Sequence, residues 1–237
     1  MSKVQILSKA AITPENQDCK TNLFQVSIYL HNFNKKPVQV FIKRVVELFG
    51  TILGLIIISP ILVTIALAIK LETNGPVLYK QKRIGQHGKE FYMYKFRSMC
   101  LGADEKIDEL KKYNQTNESM FKMFDDPRVT KVGKFLRKHS LDEFPQLLNV
   151  LKGEMSLVGF RPPLPCEVKQ YKPVHYVRFT MMPGLTGPWQ VNGRSSIKNF
   201  DKVIKLEYEY AKNWSLYNDL QILLKTIPVV IFGKNAA

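Results

Sequence analysis

Cysteine and histidine are scarce in this chain, and what they fail to form narrows the chemistry first. The three cysteines, Cys19, Cys100 and Cys166, are odd in number, far apart, and make no CxxC pair. That excludes a disulfide framework and a cysteine-based zinc site, and it favours a reducing compartment. The four histidines, His31, His87, His139 and His175, are equally scattered. No Walker loop, no GxGxxG fingerprint and no nucleophile elbow can be found. His139, Ser140 and Asp142 are the right residue types for a triad, but they are near neighbours in the chain. The first thirty residues are too polar for a secretory signal peptide. Acidic residues are few: 20 Asp and Glu stand against 35 Lys and Arg, a net charge of +15. Such an excess implies an anionic partner, whether nucleic acid, phospholipid headgroups or a phosphorylated small molecule. Nucleic acid fits the charge alone, because no recognised binding motif is present.

The 237 residues are 45% hydrophobic and 11% aromatic, which suits one folded domain with an appendage and rules out wholesale disorder. Three regions are expected: an extension of unknown role over 1–37, an apolar element over 38–72 and the remaining domain over 73–237. Residues 49–69, FGTILGLIIISPILVTIALAI, carry no charge. As one straight helix they would be roughly 31 Å long, just enough to span a bilayer core. Pro60 in the middle removes the backbone bond to the Ile56 carbonyl, and Ser59 before it is biased away from helical geometry. Lys35, Lys36, Lys43 and Arg44 precede the segment, and Lys70, Lys80, Lys82 and Arg83 follow it. A spanning helix concentrates its basic residues on one side. On these residues alone a kinked spanning helix and a re-entrant hairpin both stand, with base rates favouring the first. In the hairpin, the Ser59 hydroxyl could satisfy a freed carbonyl at the bend.

Beyond a turn at Thr73-Asn74-Gly75-Pro76, residues 77–84 and 90–97 read as a β-hairpin around Gly85-Gln86-His87-Gly88. A period of two puts Phe91, Met93, Lys95 and Arg97 on one face. Helices are expected over 101–113, 119–124, 132–137, 145–151 (ended by Gly153), 200–213 and 216–232, the last two amphipathic.

The chemistry concentrates at Arg137-Lys138-His139-Ser140-Leu141-Asp142-Glu143-Phe144-Pro145. Ser140 and Glu143 match a capping box, but Pro145 would then fall at the fifth helical position, where it is costly. A helix opening at Asp142 or Glu143 accommodates Pro145 and sets both carboxylates at a positive helix end, near Arg137. There Asp142 should stay ionised; it could act as a nucleophile, or the two acids could hold Mg²⁺ beside substrate phosphates. A plain N-cap is the competing role for Asp142. Lys95, Arg97, Arg137, Lys138, Arg161 and Arg194 supply cations suited to phosphate, and two prolines fix the backbone at Arg161. Residues 183–190, PGLTGPWQ, read as a tight turn with exposed amides, suited to an anion or nucleotide, or else as an ordinary turn with Trp189 in the core.

These residues resemble the bacterial sugar transferase family, the monotopic polyprenol-phosphate phosphoglycosyl transferases. The resemblance runs from about residue 37 to the C-terminus. It is carried by KRVVELFGTILGLIIISPI, GPVLYKQKRIG, YKFRSM, DDPRVTKVGKFLRKHSLDEFPQLLNVLKGEMSLVGFRP, PGLTGPWQVNGRS and LLKTIPVV. It implies an α+β monotopic membrane protein with an N-terminal re-entrant helix hairpin, a small hairpin sheet and several amphipathic interfacial helices. It implies transfer of a sugar-1-phosphate from a UDP-sugar to undecaprenyl phosphate, with UMP released, at the cytoplasmic face of the bacterial inner membrane. Asp142 falls on the family's nucleophile and Glu143 on its dyad partner, with Mg²⁺ as cofactor. Lys95, Arg97, Arg137, Arg161, Pro162, Gln190 and Arg194 are the expected substrate and phosphate contacts. Ser59 and Pro60 match the re-entrant break, which reverses the base-rate preference for spanning. Expected partners are the two substrates, membrane lipids and downstream glycosyltransferases, with no nucleic acid. Two departures stand out: Phe160 replaces a common proline, and residues 1–37 match nothing in the smallest members, while the four spanning helices of the larger members are missing. The competing class is a non-catalytic membrane scaffold for glycan assembly, with the dyad as a cap.

Overall fold

The computed structural model describes residues 36–103, 126–193, 197 and 199–232. The expected extension and the helices over 101–113 and 119–124 fall almost wholly outside the described residues. Pro37 opens α1 (Pro37–Glu72), where its missing N–H is an orphan in any case. The hairpin follows as β1 (Leu78–Ile84), a 3-10 turn (Gln86–Gly88) and β2 (Glu90–Phe96). Next come α2 (Lys131–Lys138), a 3-10 turn (Leu141–Gln146), α3 (Leu147–Lys152), β3 (Ser156–Val158) and α4 (Pro165–Val168). A 3-10 segment (Pro173–Phe179), β4 (Gly184–Thr186), α5 (Pro188–Val191), α6 (Phe200–Lys212) and α7 (Leu216–Phe232) complete the fold. It is mostly helical with two small sheets, an α+β arrangement.

The expected helix–break–helix hairpin is not what the structure shows: α1 is one long apolar helix whose backbone is continuous across Ser59 and Pro60. The local repair anticipated at the bend is present. Ser59 Oγ donates to the Ile56 carbonyl at 2.8 Å, and Thr64 Oγ1 donates to the Pro60 carbonyl at 2.9 Å. Hydroxyls thus satisfy carbonyls around the proline, so the helix need not break there. Both parts of α1 dock on the rest of the chain. Lys43 Nζ reaches Asp219 Oδ2 at 2.5 Å and the Val158 carbonyl at 3.0 Å, while Glu47 accepts from Ser156 Oγ and Leu157 N. At the other end Ile65 and Ile69 pack with Phe96 and Leu136. Between these anchors, residues 52–64 include no buried side chain. Only 11% of the most apolar window of α1 is buried, which excludes a helix in a soluble core. The exposed apolar length associates the chain with a membrane.

β1 and β2 are antiparallel, with Tyr79 opposite Lys95, Gln81 opposite Met93 and Arg83 opposite Phe91. These six residues share the inner face, which packs on the turn at 141–146 and on Val150 and Met155. The second sheet was not legible in the sequence. β3 and β4 pair in parallel, extended by a bridge between Phe160 and Pro183. The expected exposed-amide turn at 183–190 is therefore a buried strand followed by one helical turn, and Gly184 N donates to the Phe160 carbonyl. Glycine is required here: a Cβ on Gly184 or Gly187 would collide with the Gly159 backbone. Phe160 lies in the main core with Val158, Met181, Tyr210, Trp214 and Ile222, so packing orders the chain just before Arg161.

Candidate active site

α2 leads into the site. Thr130 caps it by accepting from Gly133 N at 2.9 Å, and Gly133 lets its backbone approach the Ser98 carbonyl, where a Cβ would collide. After His139 the chain turns through Ser140, whose φ of 54° is left-handed and disfavoured for a residue with a Cβ. Leu141 then packs against Ile65, Ile69, Phe96 and Leu136, locking the backbone one residue before Asp142. Ser140, not Asp142, occupies the N-cap position, and it makes no side-chain cap bond. The helical turn opens at Leu141 instead of at Asp142 or Glu143 as expected, and Pro145 is accommodated because it sits in a 3-10 turn. The plain-cap role for Asp142 loses its geometric basis.

Asp142 is 9% exposed and Glu143 is half-buried beside it. Lys95 Nζ lies 3.0 Å from Glu143 Oε1 and 4.0 Å from Asp142 Oδ2. Arg137 is anchored through Nε to Ser98 Oγ at 3.0 Å and acts on Asp142 through space. Burial is the largest influence on Asp142 and holds its pKa above the ordinary 3.8; Lys95 opposes this, Glu143 reinforces it and Arg137 opposes it. Desolvation, absent from the expectation that cations and the helix dipole keep Asp142 ionised, reverses the sign of the shift. A carboxylate of raised pKa is a more basic nucleophile wherever it is ionised.

The Arg161-Pro162 loop is held by a residue that sequence reasoning missed. Arg83 is buried on β1; its Nη1 donates to the Pro162 carbonyl at 2.9 Å and its Nη2 to Gln81 Oε1 at 2.6 Å. Desolvation, then the neighbouring Arg161, pull the Arg83 pKa down to about 10, against Glu167 and Glu143, so it remains cationic at neutral pH. Arg83 therefore ties the Arg161-Pro162 loop to β1. Arg161 itself is partly exposed, 3.7 Å from Glu167 Oε1 and 5.6 Å above the Trp189 ring. Gln190 Oε1 and Trp189 Nε1 are both buried with no hydrogen-bond partner. Arg97 is placed differently from expectation. It is 7% exposed and bonds the Thr73 and Asn74 carbonyls and Thr73 Oγ1, each at 2.8 Å, so it fastens the turn after α1. β2 ends at Phe96, and the alternation that put Arg97 beside Lys95 ends with it. Arg194 lies outside the described residues.

The described residues contain no group of three or more His, Cys, Asp or Glu able to hold a metal. The dyad offers two adjacent hard oxygen donors. That set suits a cation which takes one or two carboxylates and completes its shell with phosphates and water, as Mg²⁺ does.

A family model described as bacterial sugar transferase matches residues 38–233. The chain belongs to the bacterial sugar transferase family. Among its relatives is the galactosyl transferase CpsE of Streptococcus agalactiae, 43% identical over 194 residues, or 82% of this chain and 43% of that protein. The undecaprenyl-phosphate galactose phosphotransferase of Salmonella typhimurium is 43% identical over 195 residues, 81% of this chain and 40% of that one. The exopolysaccharide production protein ExoY of Rhizobium meliloti is 38% identical over 205 residues, 85% of this chain and 90% of that protein. The chain thus spans about two fifths of the length of the first two relatives and most of the third.

A second unforeseen residue is Asn149, which is wholly buried. Its amide donates to the Tyr92 carbonyl at 2.8 Å and accepts from Tyr94 N at 3.0 Å, tying α3 to the strand that carries Lys95. Both missed residues left a trace in the sequence. Arg83 falls on the inner face once β1 alternation is extended to Tyr79, Gln81 and Arg83, and Asn149 interrupts the apolar run Leu147-Leu148-Asn149-Val150-Leu151.

Proposed function

We propose that this chain transfers a sugar-1-phosphate from a UDP-sugar to undecaprenyl phosphate, and that Asp142 carries the phosphosugar between them. The observation behind this reading is a buried carboxylate with raised pKa, flanked by Glu143, Lys95 and Arg137, packed against the lipid-facing helix through Leu141. An Asp142 oxygen attacks the β-phosphorus of the donor. An O–P bond forms, the bond to the bridging oxygen breaks, and UMP leaves with that electron pair. A phosphate oxygen of undecaprenyl phosphate then attacks the same phosphorus. The Asp142–phosphorus bond breaks, the carboxylate is regenerated, and the diphosphate-linked sugar lipid departs to serve downstream glycosyltransferases.

Lys95, Arg137, Arg83 and Arg161 offset the phosphate charge, the positioning and electrostatic work that phosphoryl transfer needs. Asp142 and Glu143 are the residues that would hold Mg²⁺, and the ion would supply further charge neutralisation at the phosphates. Gln190, next in the chain to the Trp189 ring under Arg161, is a further substrate contact in this reading.

Both ends of α1 dock on the rest of the chain, and the apolar stretch between them carries no buried side chain. Basic residues flank both ends. These observations support a segment that enters one leaflet and returns, bending at Ser59-Pro60 within a continuous helix, at the cytoplasmic face of the inner membrane. Exposed Phe135 on α2, among Lys131, Lys134 and Lys138, and exposed Tyr217, Leu220, Leu224 and Ile227 on α7 suit contact with the same headgroup layer. One substrate is soluble and the other has its phosphate at that depth, so the dyad belongs at the interface.

The test is covalent trapping. Wild-type protein given a β-phosphate-labelled UDP-sugar without acceptor should retain label and release UMP, whereas Asp142→Asn should do neither while staying in the membrane. Label on another residue, or clear turnover by Asp142→Asn, would overturn the assignment. Cysteines introduced near both ends of 49–69 should be labelled from the same side.

A further inference from the structure

We infer that Glu72 and Arg44, both on α1, are positioning residues for the Asp142–Glu143 segment. The inference rests on the proposed role of Asp142. Glu72, the last residue of α1, reaches the start of α2: its Oε1 accepts from Lys131 N at 2.7 Å, and its Oε2 accepts from Val132 N at 3.1 Å. Arg44, near the beginning of α1, reaches the end of α3: its Nη2 donates to the Val150 carbonyl at 2.8 Å and to the Leu151 carbonyl at 3.4 Å. α2 leads into the dyad turn and α3 leads out of it. One helix therefore holds both flanks of the dyad.

The charge at each grip matches the pole of the helix end it meets. The first amides of α2 are orphan donors at a positive pole and meet a carboxylate; at the negative pole of α3 a guanidinium meets the Leu151 carbonyl and the Val150 carbonyl, which also accepts from Gly153 N. Leu141, packed on Ile65 and Ile69, adds an apolar tie to the same helix between the two grips. The backbone on either side of Asp142 is thus referenced to α1, the element that carries the lipid-facing stretch. The posture of α1 sets where the nucleophile meets the phosphorus, and a displacement of about 1 Å can slow such a reaction by about a hundredfold.

The experiment is single-turnover formation of the phosphosugar adduct from the UDP-sugar alone, using the full chain in lipid nanodiscs. Glu72→Ala and Arg44→Ala should each slow it about 10- to 100-fold, with the half-saturating donor concentration within about twofold of wild type. Glu72→Gln keeps an acceptor and Arg44→Lys keeps a charge, so each should recover to about 3- to 10-fold below wild type. The double alanine variant should lose less than the product of the single losses, because both act on one segment. Thr130→Ala removes the other cap of α2 without touching α1 and should stay within about threefold of wild type.

Wild-type rates in both alanine variants would overturn the inference. So would an equal loss in Thr130→Ala, which would mark a role in helix stability alone. If an alanine variant does not accumulate, wild-type rates in both conservative variants overturn it. Adduct formation by Asp142→Asn would instead overturn the nucleophile reading, which keeps the two failures distinct.

Discussion

Replacing Asn149 with alanine tests whether α3 and β2 are joined as described. Its side chain, 0% exposed, makes three hydrogen bonds: to the Tyr92 carbonyl at 2.8 Å, from Tyr94 N at 3.0 Å and to Glu154 Oε2 at 2.7 Å. Each is worth about 1 kcal/mol net, and leaving the part-buried Tyr92 carbonyl and Tyr94 N–H without these partners adds to the loss. A destabilisation of about 3–4 kcal/mol follows, which for a chain of this size lowers Tm by about 6–16 °C. Thermal unfolding in one lipid system at one scan rate would measure it, since such proteins unfold irreversibly. Asn149→Asp sharpens the test. A carboxylate can accept from Tyr94 N but cannot donate to Tyr92, and it faces Glu154. That variant should be at least as unstable at neutral pH, and should recover as acid protonates the buried group and restores a donor. Lys95 follows Tyr94 on the same strand, so adduct formation by Asn149→Ala should also slow well below its melting temperature. A Tm within about 2 °C of wild type would refute the reasoning.

Because burial and Glu143 both raise the Asp142 pKa, activity should rise with pH through that raised value as the nucleophile ionises. Glu143→Gln should shift the acid limb of adduct formation to lower pH, and Lys95→Met should shift it higher. The same sign governs stability: a folded pKa above 3.8 makes the Asp142 charge a liability at neutral pH. Asp142→Asn should therefore melt higher than wild type at pH 7, an advantage that fades as pH falls through the raised pKa. Gly133→Ala should cost about 1–3 kcal/mol in thermal unfolding, because its Cβ would collide with the Ser98 carbonyl and push α2 away from the strand exit.

Where a signal was local and long, the sequence determined the outcome. The uncharged run of 49–69 fixes an exposed apolar helix, and Pro60 together with Ser59 predicts the hydroxyl-to-carbonyl bond at Ile56. The hairpin, the helix ended by Gly153 and the two closing helices fall within a residue or two of expectation, since periodicity and breakers repeat over many residues there. The motifs singled out Asp142, Glu143 and Lys95, and Lys95 Nζ lies 3.0 Å from Glu143 Oε1 and 4.0 Å from Asp142 Oδ2. Tertiary structure decided the rest. β3 and β4 are three residues each, too short for a period to register, and parallel pairing depends on a distant glycine contact. Arg97 and Arg83 look alike as charges on neighbouring strands, yet one fastens a turn and the other ties the Arg161-Pro162 loop to β1. The sign of the Asp142 shift follows from how much water the fold removes, and solvent exclusion belongs to the packed chain, not to any stretch of residues within it.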